Sequence, residues 1–157
     1  MLYGNQTPCY FNKTFHKDKT MDIKQIDFQK HGDSRGMLVV AEYEKEIPFT
    51  VKRVYYIYGV GEHTSRGFHS HKNLQQIYIA IHGSCKVMLT NGEEKQVVTL
   101  DDPAKGLYIG HNVWREIFDF SHDGVLLVLA SEKYSEDDYI RSYDEFKEWQ
   151  RTHKNNH

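Results

Sequence analysis

RGFHSHKNLQQIYIAIHGSCKVMLT, spanning Arg66–Thr90, carries two short runs of strand-forming residues, QQIYIAIH and CKVMLT, separated by a turn signal at His82 and Gly83. Val, Ile and Tyr fit a pleated, half-buried surface, and Gly supplies the backbone freedom a tight turn needs. The same grammar continues on both sides, from residue 37 to about 131: MLVVAEY, KRVYYIY, KQVVTL, GLYIG, VWREIFDF and GVLLVLAS alternate with the turn signals YGVGE, TNGEE, DDPAKG, IGHN and SHDG. Many strands at this spacing, with no helical period between them, predict an all-β sandwich or small barrel, with a jelly roll as its form. Only YDEFKEWQRTHK, from Tyr143, breaks the pattern. Tyr143, Phe146 and Trp149 stand there at helical spacing among charged residues, which predicts one short C-terminal helix whose aromatic face packs into the core.

The size and charge of the chain narrow the function classes. With 157 residues it can build one domain with a substantial core. Residues 1–20 read as an N-terminal extension with no assigned function, because Met21 opens MDIKQIDFQK in the manner of a chain start; residues 21–157 form the single domain. Lys plus Arg total 20 against 22 Asp plus Glu, and no basic stripe tracks a phosphate backbone, so no nucleic-acid partner is expected. The longest strongly apolar run, VLLVLA, falls far short of the roughly 20 residues of a membrane helix. Cys9 and Cys85 make neither a disulfide framework nor a CxxC metal site, and the first twenty residues lack a secretory apolar region, so a cytoplasmic setting is expected.

Within RGFHSHK, residues two apart on a strand share a face, so His69 and His71 are predicted side by side. Such a pair serves metal ligation, shared proton transfer, or nothing more than a solvated sheet face. The order His69, His71, Gln76, Gly83 resembles the cupin motif, with an amide where that motif has a glutamate. GLYIGHNVWREIFDF resembles the second cupin motif, with Arg115 after Trp114 where a ligating histidine belongs. Two imidazoles, a neutral amide and a guanidinium that repels cations are a poor donor set for a divalent ion, so no metal and no cofactor are expected. His111 is a substitute ligand only if the IGHN turn brings it to the pair.

Read from Asp22 to Trp149, the chain is similar to the cupin-fold dTDP-4-keto-6-deoxyglucose 3,4-ketoisomerases. The likeness rests on DSRG (33–36), IPFTVKRVYYIY (47–58), RGFHSHK (66–72), HGSCKVML (82–89), DDPAKGLYIG (101–110), VWRE (113–116) and VLASEKYSEDDYIRSYDEF (128–146), in that order. It implies a cupin double-stranded β-sandwich and an isomerase that moves a sugar ketone from C4 to C3 through an enediol, without metal, in deoxyamino-sugar biosynthesis for surface glycans. It also implies dTDP-4-keto-6-deoxyglucose as substrate and a homodimer paired through sheet edges.

For that reaction histidine is the suitable acid–base group, since its ordinary pKa near 6.5 lets one ring take and return protons at neutral pH. His69 is the expected principal base, with His71 sharing the shuttle or orienting the first ring. Tyr55 is the expected hydroxyl partner, although Tyr56 and Tyr58 crowd the same run. Arg35, Arg66 and Arg115 are the expected substrate-binding cations, for diphosphate and enediolate alike, with Arg53 a fainter candidate. The competing readings are a dTDP-sugar 3,5-epimerase-like enzyme, a metal-dependent cupin dioxygenase, and a non-catalytic nucleotide-sugar-binding cupin. The sequence leaves open the C4 configuration of the product.

Overall fold

The computed structural model describes residues 20–153. The proposed N-terminal extension, Cys9 included, lies outside the described residues except for Thr20.

Twelve strands run in the order β1 (Ile23–Asp27), β2 (Gln29–Asp33), β3 (Gly36–Val40), β4 (Arg53–Ile57), β5 (Arg66–His71), β6 (Gln76–His82), β7 (Cys85–Thr90), β8 (Lys95–Leu100), β9 (Lys105–Ile109), β10 (Trp114–Phe118), β11 (Val125–Ala130) and β12 (Tyr139–Ile140). Among the described residues one α-helix, α1 (Tyr143–Thr152), follows the last strand. The strands form two antiparallel five-stranded sheets, ordered β1-β9-β6-β11-β4 and β12-β5-β10-β7-β8, plus a separate β2-β3 hairpin. This is the double-stranded β-sandwich expected from the strand grammar.

Period-2 alternation explains how the sheets pack. Along β6, Tyr78 and Ala80 face the space between the sheets with Val87, Leu89, Val98, Leu100, Leu126 and Val128. Ile77 and Ile79 face the opposite way, against Phe28, Ile47 and Phe49. A strand buried on both faces has no polar side to show, which is why Ile77, Tyr78, Ile79 and Ala80 follow one another without a polar residue. Cys85 is one of the inner-core residues; burial pushes its thiol up to about 12, an inert value.

Helix α1 covers the outer face of the second sheet. Ser142 caps it by accepting from the Glu145 amide, and Phe146 inserts between Met88, Trp114 and Ile140. Of the three aromatics expected in the core, only Phe146 is fully buried. Tyr143 is exposed, and Trp149 sits at the edge, donating from Nε1 to Asn112 Oδ1 at 2.8 Å. A helix docked on a flat sheet buries a narrow stripe, so residues flanking its centre stay at the rim.

The predicted run MLVVAEY ends early, at Val40, where the chain leaves the β2-β3 hairpin for an irregular turn. Strands β1, β2 and β12 were not legible: of β1 only Ile26 is buried, so its sequence shows little alternation of polarity.

Candidate active site

At one flank of the sandwich, between β4 of the first sheet and β5 and β12 of the second, the interior is polar. A cavity of about 310 Å³ opens there, with Arg53, Tyr55, Arg66, His69, Tyr139 and Arg141 around it and Tyr78 and Ile117 at its base. A larger hollow, lined by Lys52, Glu132, Lys133 and Asp138, lies on the outside of the same flank. The smaller cavity is the one lined by a histidine of the pair, a tyrosine hydroxyl and three arginines.

Strand pleat and one bulge determine which residues reach it. On β4, Arg53, Tyr55 and Ile57 point inward while Val54, Tyr56 and Tyr58 are exposed. That parity separates Tyr55 from its tyrosine neighbours. On β10, Arg115 and Ile117 point inward by the same rule. Between β5 and β10 the register shifts: Arg115 pairs with His69, but Glu116 pairs with Gly67 and Ile117 with Arg66. Phe68 is the extra residue, with φ +57°, and is half exposed. The bulge puts Arg66 and His69, three residues apart, on one face, where a regular strand would set them on opposite faces. Gly67 is required at this crossing, since it has φ +89° and a Cβ there would lie 2.8 Å from the Arg115 carbonyl oxygen.

His69 and His71 are neighbours as predicted, with ring centroids 4.8 Å apart in an edge-on arrangement, and the Tyr139 ring lies 5.0 and 4.3 Å from them. His71 is fully buried; its Nδ1 meets Asp138 Oδ2 at 3.1 Å. Neither nitrogen of His69 makes a well-formed hydrogen bond, the Gly67 backbone being its nearest acceptor, and Nε2 of His71 has no partner. Burial, reinforced by the positive charge of Arg115, holds His69 down to about 3. Burial also holds His71 down to about 4, against the opposing pull of Asp138. Both rings are therefore neutral near pH 7.

Arg115 is completely buried and bridges the two sheets. Its Nη1 donates to Gln76 Oε1 at 3.2 Å and its Nη2 to the Gly110 carbonyl oxygen at 3.5 Å. A guanidinium only donates, so the amide oxygen of Gln76 must face it. The amide nitrogen then donates to the Tyr55 hydroxyl oxygen at 2.8 Å, which leaves Tyr55 to act as a donor itself, with the buried Tyr78 hydroxyl beside it. Burial raises the Tyr55 pKa, with Arg115 opposing, so the group is a neutral donor. A glutamate at position 76 would accept from Tyr55 instead.

The predicted cations separate on this map. Arg66 lines the cavity. Arg115 is not in the lining; it lies buried behind the wall, bonded to Gln76. Arg35 is not at this cavity: it sits on the β2-β3 hairpin, its side chain 86% exposed, paired with Asp33 at 2.5 Å. Within one chain the hairpin carries Arg35 away from both sheets, so of the three expected cations Arg66 alone lines this cavity. Arg53 takes a place in the lining, with its guanidinium 5.3 Å from the Tyr55 ring. Asp138, Tyr139 and Arg141 were not singled out from sequence, although YSEDDYIR lay within a matched stretch; nothing local marks a residue whose partner is 67 positions away. Arg141 holds Glu136 through two bonds and lies 4.1 Å from the Tyr139 ring, so its direction is fixed. Among the described residues no three His, Cys, Asp or Glu side chains converge as a metal site. His111 stands in the β9–β10 turn and does not line the cavity.

The sandwich and its histidine-lined cavity define a cupin-type protein. Residues 21–151 match the family described as FdtA: WxcM-like, C-terminal, and the chain belongs to that family. It is 53% identical over 129 residues to a TDP-4-oxo-6-deoxy-alpha-D-glucose-3,4-oxoisomerase of Aneurinibacillus thermoaerophilus, covering 82% of this chain and 93% of that one. A crystal structure of a 3,4-ketoisomerase from Helicobacter canadensis superposes with a TM-score of 0.82 at 45% identity, covering 84% and 99% of the two chains. A mutant of the QdtA 3,4-ketoisomerase from Thermoanaerobacterium thermosaccharolyticum, in complex with TDP-4-keto-6-deoxyglucose, gives 0.81 at 46% identity, covering 83% and 94%.

Proposed function

We propose that this protein converts dTDP-4-keto-6-deoxyglucose to the 3-keto isomer by metal-independent acid–base chemistry. The observation that carries the reading is a neutral imidazole, His69, in the wall of an arginine-lined cavity. A base there removes the C3 proton, made acidic by the adjacent C4 carbonyl. The electron pair forms the C3–C4 double bond, and charge gathers on O4 as an enediolate. Protonation at C4 and transfer of the O3 proton complete the ketone at C3, with no electron gained or lost overall.

His69 is the base toward carbon, and His71 completes the shuttle. Tyr55, a neutral hydroxyl in the cavity lining, donates toward the sugar oxygens. Arg115 supplies a positive field where the enediolate charge develops, preorganised because it cannot move or hydrate. Arg66 and Arg53 suit the diphosphate, being forked donors at the lining. The donor set argues for metal independence: Gln76 is engaged with Arg115 and Tyr55, and Arg115 repels a cation from the histidines.

We also infer a homodimer. Strand β4 is a sheet edge that exposes Val54, Tyr56 and Tyr58, and the hairpin exposes Met37, Leu38 and Val39; an isolated hairpin of this kind calls for a covering surface. Arg35 then serves substrate only across that contact. Arg35→Ala should raise KM about tenfold in the dimer; an unchanged KM removes Arg35 from the binding set. The setting is cytoplasmic on this reading, and the 3-keto product suits an aminotransferase, as in deoxyamino-sugar assembly for surface glycans.

The test is NMR of dTDP-4-keto-6-deoxyglucose incubated with the protein in heavy water. Ketone migration with solvent hydrogen appearing at C4 supports the reading, and the same spectrum gives the C4 configuration. Exchange at C3 and C5 with the ketone still at C4 means epimerisation instead. Loss of turnover on exhaustive chelation, restored by one metal, overturns metal independence.

A further inference from the structure

We propose that Asp138 is a positioning residue of this site: its carboxylate fixes His71 with the ring proton on Nδ1, leaving Nε2 as a proton acceptor beside His69. The proposal rests on the reading that the two histidines carry protons, and it adds the group that determines which nitrogen does so.

The geometry begins with donor accounting. An ionised carboxylate only accepts, so the 3.1 Å contact between Asp138 Oδ2 and His71 Nδ1 requires the imidazole proton on Nδ1. Asp138 is itself held from three sides. Its Oδ1 accepts from the Asn73 backbone amide at 2.8 Å and from Asn73 Nδ2 at 3.1 Å, and its Oδ2 also accepts from the Leu74 amide at 3.3 Å. Its carbonyl oxygen accepts from the Lys72 amide at 2.9 Å, and the next residue, Tyr139, pairs with His71 across β12 and β5. The carboxylate therefore has one orientation, and so does the ring it holds.

The far edge of that ring carries the consequence. His71 Nε2 is buried, has no partner, and packs among the rings of His69 and Tyr139. A buried acceptor left unmatched is costly to a fold that gains nothing from it. Here it is a lone pair held ready next to the cavity base. The hydrogen bonds that hold the Asp138 carboxyl at about 2, in spite of burial, keep it ionised, so it does not take the proton from Nδ1 but steadies the imidazolium that forms when Nε2 is protonated.

The replacement Asp138→Asn separates positioning from mere support. Asn73 presents two N–H donors to Oδ1, so the asparagine oxygen must stay there and its NH2 must face His71 Nδ1. That nitrogen then has to accept, and the ring proton moves to Nε2. Nitrogen-15 NMR of histidine-labelled protein, with His71 assigned through His71→Gln, reads the tautomer directly. Expected are a protonated Nδ1 and bare Nε2 in the wild type, the reverse in Asp138→Asn, and a kcat lower by about 10²-fold with KM within about threefold. A wild-type His71 protonated on Nε2 overturns the proposal, and that measurement needs no variant. A kcat unchanged in Asp138→Asn overturns it, as does a kcat loss with the tautomer unmoved. If the wild type turns over no keto sugar, the proposed function fails, while the tautomer result still judges the Asp138 contact.

Discussion

The two flanks of this sandwich are built from the same pleated strands and filled with opposite materials. Between β9 and β7–β8 the interior is Val87, Leu89, Val98, Leu100, Leu107 and Ile109, all buried and apolar. Between β4 and β5–β12 the inward positions carry Tyr55, His69, His71, Gln76 and Arg115. Among the described residues, the buried side-chain nitrogen and oxygen atoms without a well-formed hydrogen bond are Arg53 Nε, both nitrogens of His69, Ser70 Oγ, His71 Nε2 and Arg115 Nε. All lie on or beside this second flank. A buried polar atom that lacks a partner costs roughly 1–3 kcal/mol, so the apolar flank holds the fold while the polar flank gives up stability for chemically available groups.

That contrast can be broken or sharpened by experiment. The largest effect is expected from His69→Ala, which should lower kcat about 10³-fold yet leave the melting temperature unchanged or higher, because it deletes a largely buried ring with no well-formed hydrogen bond. Calorimetry beside the turnover assay reads both, and a large drop in melting temperature would show the ring to be structural. Its mirror is Leu107→Ala on the other flank, expected to cost about 2–5 kcal/mol in urea unfolding, with kcat per folded molecule nearly unchanged.

A smaller effect is expected from Gln76→Glu, close in shape to the native side chain. The new carboxylate neutralises Arg115 and takes the hydrogen of Tyr55, so kcat should fall about tenfold. The working base must be neutral, so activity is lost as pH falls through its pKa. The free wild-type enzyme should therefore keep its kcat/KM well below pH 6.5, toward the value of about 3 for His69. In Gln76→Glu that acid limb should move up in pH, because added negative charge favours the imidazolium; a limb that stays put disconnects Arg115 from His69.

The smallest effect is the pH dependence of stability. Both histidines have folded pKa values below the unfolded value, at about 3 and about 4. The unfolded chain therefore binds more protons between those values and 6.5, and the stability that is complete above 6.5 is lost as pH falls. From pH 7 to 5.5 each buried histidine should remove about 1 kcal/mol. His69→Ala should flatten the slope by its share, and an equal slope in both proteins would mean that the ring is solvated.

Much of this could be read from residues alone, and the exceptions have identifiable causes. Strands buried on one or both faces were legible, because burial writes period-2 or continuous apolar runs into β4, β6, β7 and β11. The hairpin strand β2 and edge strand β1 write neither. The adjacency of His69 and His71 followed from their spacing, and Arg115 from its place after Trp114. Arg66 entered through a matched motif, but its presence on the His69 face depends on the bulge at Phe68. Arg35 was grouped with the cavity because nothing in DSRG tells that its turn projects away from both sheets. Asp138 went unseen because its meaning lies wholly in His71, far off in the chain.

By itself the sequence determined an all-β sandwich and a paired imidazole on one strand, with an amide and a guanidinium at the neighbouring motif positions. Those are properties of residue type and local period, which neighbouring residues carry between them. Only the tertiary structure decided that Tyr55 and not Tyr56 faces inward, that Arg115 crosses to Gln76, that Arg66 shares a face with His69, and that Asp138 meets Nδ1 of His71. Each of these depends on strand register across the sandwich, and register is set by how two sheets bury their surfaces together, which no single segment specifies.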